Sequence, residues 1–585
     1  DEMSKEQETA IVGHVNATHE RLKTLLQTSR TEWKDLFRQT FVFKGERKRG
    51  SNLFFPKIYE HIEKINGTLL GDRPKYKVGL LSPKNVFNPE MDMVESAKFI
   101  QKALHHYWRV GNLMRQAEDM SKAGLAQNIS AVKIGFKQRT ASGKTENPET
   151  GEVEEVEKLL YEHPVFETVD ILRVFFDPHI PEIDDQPAIV YEVGRVRKSD
   201  IMKNPGYMNK DRIKDLVASH EVNTDVTQKF TDQGISDVPN NDDDHVNIVE
   251  YYGYLNMSGP HGGDLQAEED FEKERLYRVV IANNEVILEL KEITFIPFEF
   301  FVPSTIPNQA IGKGIAAMLS DMQRAYNLTR NQRFDNISLI VNTMWKMKIG
   351  SNINTKYLRA VAGNVIPVKD KDDVEPIVTP DATGSSFSEA NALNSEMQQA
   401  SGAIDPTQDS SSNSFTNTAT GEYIRYQIYM TRVRKIRESL ERTLSRIGMK
   451  MLLMVAEEAA ERGPTVADDV TKEFYKLVDG LFDNVSDFFN VQVEAGSTVH
   501  DSIENKREEV LGFSNLMINM KGQGVNINIE KVAADVIESF PNRSASDYIM
   551  PQPPQPQEPQ GGGGKTIPQG VTDQVSNVGQ GPGDA

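Results

Sequence analysis

The segment from about Gly421 to Arg462 constrains the chain more than any other. Ile424, Ile428, Ile436, Leu440, Leu444, Ile447, Met451 and Val455 fall mostly three or four residues apart, the spacing that lines one face of an amphipathic helix. At the rise of an α-helix the segment reaches about 60 Å, more than a compact domain needs. The stripe alone allows two readings: the helix packs against copies of itself or spans an assembly, or it is a long member of an ordinary bundle. The segment also carries Arg425, Arg432, Arg434, Lys435 and Arg437 within an acidic chain. These cations either contact phosphates or pair with Glu438, Glu441 or the acids of a neighbouring subunit.

With 585 residues the chain exceeds what one hydrophobic core supports, so several cores or an elongated body are expected. Leu22, Leu25, Leu26, Trp33, Leu36 and Phe37 recur at helical spacings before the basic tract Lys44 to Arg49. A helix is predicted from Pro56 to Leu70 on Ile58, Ile62, Ile65 and Leu69, ended by Gly71 and Pro74. Another helical stretch covers Met91 to about Gln127, with interruptions near Gly111 and Gly124. From Ala131 the period shortens toward two. VKIGF and VEEVEKLLYE read as a long hairpin around ASGKTENPETG. VDILRVFF, AIVYEVGRVR, VNIVEYYGYLN, RLYRVVIANNEVILEL and FIPFEFFVP read as further β structure, interrupted by a polar loop over residues 221–246.

Helix resumes at about Gly312 for about 45 Å. A strand-and-turn insert reaches about Gly384, followed by the shorter helix SEANALNSEMQQAS and the cation-free segment GAIDPTQDSSSNSFTNTAT. Beyond the long helix come strand-like DFFNVQVEAGS, helical SIENKREEVLGFSNLMINM and, over residues 541–585, a Pro- and Gly-rich stretch with the composition of a disordered tail.

Several function classes find no support. The formal charge of −20 opposes a protein that grips nucleic acid by its phosphates, since such binding is driven by counterion release at Lys and Arg. An acidic body past which DNA slides and an ordinary solvated surface both fit that charge. The absence of cysteine removes disulfides, thiolate catalysis and cysteine-based zinc sites. The polar N-terminus does not read as a signal peptide, and no apolar run approaches a membrane span. GGGGKT, Gly561 to Thr566, has Pro559 where a phosphate loop needs glycine, and neither the strand nor the helix that such a loop requires. The run Asn241 to His245 lacks the alternating carboxylates and central glycine of a calcium loop. His105 and His106 are adjacent and point apart on a helix, so they do not chelate as a pair. A non-enzymatic chain without cofactor or metal is expected.

Taken in order, the segments from about Ser51 to about Met520 resemble the portal proteins of tailed double-stranded DNA bacteriophages. SNLFFPKIYEHIEKINGTLLGDRPKYKV is similar to the family's opening helix, and AEDMSKAGLAQNISAVKIGF to the helix-to-strand passage after it. VDILRVFFDPHIPEIDDQPAIVYEVGRVRKSDIMKNPGY resembles its wing strands with the Asp177-Pro178 turn, and DFFNVQVEAGSTVHDSIENKREEV the return to the wing. The succession after Ile296 carries most weight: Pro297 and Phe298, Gly312 and Gly314, a long helix, a strand insert, a short helix, a polar loop and a kinked long helix.

The resemblance implies a mixed α+β portal fold that closes into a homo-oligomeric, dodecameric ring. Its parts would be an N-terminal helical arm (1–50), a wing (51–310), a stem helix (311–342), a clip (343–385) and a second stem helix (386–402). A tunnel loop (403–420), a long channel helix (421–463), a return to the wing (464–500), crown helices (501–540) and the tail (541–585) would follow. The tail lacks heptads, so no helical barrel is expected above the crown. In the family the tunnel loop faces DNA; here it offers Asp405, Thr407, Asp409, Ser410, Ser411, Ser412, Asn413, Ser414 and Phe415 and no cation. Hydroxyls and amides hold phosphates weakly, so a duplex would pass with little friction; composition alone equally allows an ordinary linker. Trp345, Lys346, Lys348, Lys356 and Arg359 fall in the clip, the expected docking place for the packaging motor and tail adaptor.

Implied partners are duplex DNA, the terminase large subunit, major capsid and scaffolding proteins and the adaptor. The implied location is the capsid portal vertex of the virion, with assembly in the host cytoplasm. A head-tail adaptor or an internal ejection protein is the alternative. Adaptors are usually shorter and ejection proteins usually lack a wing-like region, so the β-rich stretch 131–302 separates them.

Overall fold

The computed structural model describes residues 5–81, 93–146, 153–214, 216, 223–234, 244–257, 274–342, 344–351, 353–358, 365–402, 419–462, 488–494 and 497–498, with Gly512, Ser514 and Asn515. The chain divides into two units, Asp1–His500 and Asp501–Ala585, and the elements below all belong to the first. Most of SIENKREEVLGFSNLMINM, the tail with Gly561–Thr566, and Asn241–Asp243 lie outside the described residues.

The N-terminal periodicity becomes α1 (Lys5–Leu25) and α2 (Gln27–Phe41). Leu22, Leu26, Trp33, Leu36 and Phe37 are buried, while Leu25 faces solvent. The spacing at Ile58, Ile62, Ile65 and Leu69 becomes α3 (Lys57–Leu69), with all four buried. After β1 (Tyr76–Leu80), α4 (Met93–Val110) and α5 (Leu113–Gln127) meet at Gly111 and Asn112, the latter left-handed with φ 50°. Gly124 does not interrupt α5. A Cβ there would meet the Phe301 ring at 2.5 Å, so this glycine serves close approach and not a break.

The hairpin is longer than its apolar stretches: β2 (Ser130–Glu146) and β3 (Val153–Val169) pair antiparallel, with one register shift between Arg139 and Thr140. In VDILRVFF only Val169, the end of β3, and β4 (Val174–Phe175) are strand. Ile171–Arg173 form a 3-10 turn instead, because the Asp170 carboxylate accepts the Leu172 N–H at 3.1 Å. β5 (Ala188–Arg197), β6 (His245–Asn256), β7 (Glu274–Ala282) and β8 (Val286–Glu292) extend β4 into a five-stranded antiparallel sheet in sequential order. RLYRVVIANNEVILEL makes two of these strands because Asn283 and Asn284 turn the chain at positive φ.

Short helices α6 (Lys198–Lys203) and α7 (Lys210–Ile213) lay Ile201 and Ile213 on one face of this sheet. The expected polar loop 221–246 contains α8 (Thr224–Asp232). Asn223 caps it by accepting the Asp225 and Val226 N–H groups, and Arg30 and Lys34 of α2 pair with Asp225. Capping and tertiary ion pairs override a composition that reads as loop. β9 (Phe298–Phe301) pairs with the free edge of β2.

The remaining elements are α9 (Ile315–Val341), the antiparallel pair β10 (Met344–Met347) and β11 (Val374–Ile377), α10 (Thr383–Ser401), α11 (Ala419–Arg462) and β12 (Phe489–Val493), which pairs with β1. α10 starts earlier than SEANALNSEMQQAS, and residues 403–418 lie outside the described ones.

Two large cores result. One gathers α3, α4, α5, the start of α9, β1, β12 and α11; the other lies between α1, α2 and the sheets. Ile436, Leu440, Leu444, Ile447, Met451 and Val455 all belong to the first core. This half of the long helix is thus covered by its own chain.

Candidate functional site

α9, α10 and the β10–β11 hairpin with its connection extend from the first core and carry most of the exposed large apolar side chains among the described residues. α9 begins at Gly314, whose N–H donates to Asn128 Oδ1 at 2.7 Å. Its first turns bury Ile315, Ala316 and Leu319, and later ones do not reach the core. One face of α9 binds the extended segment that follows α2. The N–H groups of Ser51, Leu53, Phe55 and Ile58 donate to Asp335 Oδ1, Asn331 Oδ1, Asn327 Oδ1 and Gln323 Oε1, at 2.6, 2.8, 2.9 and 2.8 Å. Four helical residues rise about 6 Å and two extended residues about 6.6 Å, so from Asp335 to Asn327 a polar side chain every fourth position meets every second N–H, and Gln323 then reaches three residues on to Ile58 in the first turn of α3. Arg47 closes this ladder on Asp335 at 2.8 Å, and Arg330 lies over the rings of Phe55, Tyr326 and Phe334.

The roughly opposite face of α9 receives α10. Asn336 bonds to the Pro380 carbonyl at 3.0 Å and to the Ala382 N–H at 3.2 Å, and Arg333 lies 5.4 Å from the centre of the Phe387 ring. On α10, Ala390 is buried and Met397 joins the first core, while Ser388, Glu389, Asn391, Ala392, Ser395 and Glu396 are exposed.

At the far end Leu339, Val341, Met344, Met347, Val365, Val368 and Val378 are exposed, and Ile349 is fully so. Apolar area concentrated in this way marks a surface that associates. A two-stranded hairpin with both faces open is also marginal alone in water.

The basic residues singled out on the long helix lie on α11, but side-chain positions are described for only part of them. Arg434 and Lys435 are exposed, and Arg434 pairs with Glu438 at 3.0 Å. Arg437 lies 3.9 Å from Glu441, itself nearly buried. The side chains of Arg425 and Arg432 are outside the described set. So are Asp405, Thr407, Asp409, Ser410, Ser411, Ser412, Asn413, Ser414, Phe415 and Arg359. Trp345 is half-buried on β10, its indole N–H without an acceptor among the described residues. Lys346 pairs with Glu375 across the hairpin at 3.5 Å, and Lys348 and Lys356 are exposed.

A buried ion cluster fixes α11 against β9. Glu299 is fully buried between Arg446, at 3.1 Å, and Lys450, at 3.3 Å. Lys450 also reaches Asp184 at 2.7 Å and the Phe298 carbonyl at 2.7 Å, and Arg446 pairs with Glu182. Burial raises the Glu299 carboxyl above its ordinary range, and the two cations only partly offset it. In the five-stranded sheet Glu250 behaves oppositely: burial would raise it, yet Lys133 and Arg278 hold it below.

Neither this cluster nor the ladder on α9 was among the sequence-predicted sites. The ladder's signal was amide or acid side chains at positions 323, 327, 331 and 335; Glu299 was hidden as one charge inside an apolar strand.

Among the described residues no helix is long and apolar enough to cross a membrane, and no group of three or more metal-ligating side chains converges. A search of curated proteins found no match. A family model described as phage SU10 portal protein matches residues 101–563. That span covers most of the chain; it starts later than the resemblance read from Ser51 and runs past Met520. Its mixed helices and sheets suit that architecture, and the chain belongs to this family of phage portal proteins.

Proposed function

We propose that the chain is the portal subunit of a tailed phage, assembling into a closed, dodecameric ring at one capsid vertex through which DNA is packaged and ejected. The family match over residues 101–563 carries this reading. In it, α9 and α10 are the stem, residues 343–385 the clip, residues 403–420 the tunnel loop and α11 the channel helix. The exposed apolar end of the stem and the open hairpin support assembly, because neighbouring copies in a ring would cover them. The ring nucleates capsid assembly with major capsid and scaffolding proteins, and its clip docks the terminase large subunit and then the tail adaptor. It hydrolyses nothing itself; the motor supplies the work.

Co-expression with the cognate capsid and scaffolding proteins tests this. A gold-labelled chain is expected at a single vertex, and particles assembled without it are expected to take up no DNA. Label spread over all vertices, or normal filling without the chain, would overturn the reading.

A further inference from the structure

The segment after α2 and helix α10 lie on roughly opposite faces of α9, which gives this part of the fold two unlike edges. On one edge the loop Lys44 to Arg49 is held to α9 through Asp335, which binds Arg47 and the Ser51 N–H. Gly50 turns the chain there at φ 80°. Arg47 is thereby used internally, and Lys44, Lys48 and Arg49 are left exposed beside Glu46 and the rings of Phe43 and Phe54. Among the described residues these three cations have no acidic partner. On the other edge α10 has Glu389 and Glu396, seven residues apart on one flank, and no Lys or Arg in its length. Asp381 lies just before it, capping Thr383 at 2.8 Å. Glu389 and Glu396 have no basic partner among the described residues, and Phe387 beside Glu389 is 55% exposed.

The two edges sit at one level of the stem. Asp335, which holds the basic loop, precedes Asn336, which holds Ala382 at the start of α10. A head-to-tail ring joins two different edges of the same subunit, and opposite charge around an exposed apolar centre is what such a contact requires.

We propose that the basic loop of one copy, through Lys48 and Arg49, docks on the acidic flank of α10 of the next, through Glu389 with Asp381 and Glu396 alongside, packing Phe43 toward Phe387. This rests on the ring reading above and adds which edge meets which. The loop then sets the sense in which subunits join, since two basic edges or two acidic edges repel.

The chain has no cysteine, so introduced thiols report alone. In the full chain, Arg49→Cys combined with Glu389→Cys, treated with a short bis-maleimide, is expected to give a ladder of covalent multimers. Either single variant should stop at dimers or below. Separately, Lys48→Glu with Arg49→Glu should cut the assembled fraction at fixed concentration by about tenfold, as like charges face each other, and adding Glu389→Lys with Glu396→Lys should restore it. Rings of normal mass without a ladder, or charge reversal without effect on assembly, would overturn this contact and leave the ring reading standing. Loss of DNA retention with assembly unchanged would assign the loop to nucleic acid and also overturn the contact. A parent chain that never assembles would defeat the ring reading, and this contact with it.

Discussion

Asn331 on α9 grips Leu53 by both backbone groups, accepting its N–H at 2.8 Å and donating to its carbonyl at 2.8 Å. No sheet is involved; a helix side chain replaces the neighbouring strand. Asn331→Leu leaves both groups unpaired, at a cost of about 2 kcal/mol. Amide exchange over residues 51–55 is expected to accelerate markedly, with exchange in α3 unchanged. Undisturbed protection at Leu53 would show that the ladder does not hold the segment.

Lys450 is the more embedded of the two cations on Glu299. Lys450→Met leaves a fully buried carboxylate with Arg446 alone and is expected to cost about 3 kcal/mol near neutral pH. Because the Glu299 carboxyl is already raised by burial, its folded state takes up a proton before the unfolded chain does. That stabilises the fold as pH falls toward the ordinary carboxyl range, so the deficit of Lys450→Met should shrink on acidification. Urea titrations of parent and variant across pH check this; a deficit independent of pH would contradict it.

His61 on α3 contacts Ser401 Oγ at 2.9 Å at the end of α10. Burial first, then Lys64 and Lys57, lower it from 6.5 to about 4, with Glu60 opposing. The unfolded chain therefore binds this proton first. The stability involved is fully present above pH 6.5 and is lost progressively between 6.5 and about 4. His61→Gln, which keeps a polar group for Ser401, should remove about 2 to 3 kcal/mol of that acid loss. Parallel pH profiles for the two proteins would contradict the assignment.

How much of this was legible depended on where the cause lay. The stripes at Ile58 to Leu69 and Ile436 to Val455 are local periodicities, and they became α3 and the buried half of α11. Gly124 reads as a break, yet it lies inside α5 because the Phe301 ring passes there; Gly448 sits inside α11 against the Tyr76 ring in the same way. α8 was hidden because its stability comes from Arg30 and Lys34, far away in sequence. The four-residue recurrence of Gln323, Asn327, Asn331 and Asp335 is visible in α9 alone, but that these side chains hold residues 51–58 needed two segments read together. The ordering of many weak segments carried the family resemblance, and the family model supports it.

The cation-free segment Ala403 to Thr420 is proposed to face passing DNA, and charge reversal there should be felt by a moving duplex. Asp405→Lys with Asp409→Lys is expected to slow or stall packaging in a defined motor assay while leaving assembly intact, since each added cation is a new phosphate contact. Unchanged packaging would remove the segment from the channel.

The central claim is a closed ring of identical subunits. Light-scattering mass together with negative-stain images of the purified full-length chain, over a range of salt and concentration, tests it most directly. The account predicts a single high-mass species near twelve times the subunit mass, seen end-on as a ring with a central hole. A persistent monomer or dimer under every assembly condition would contradict it.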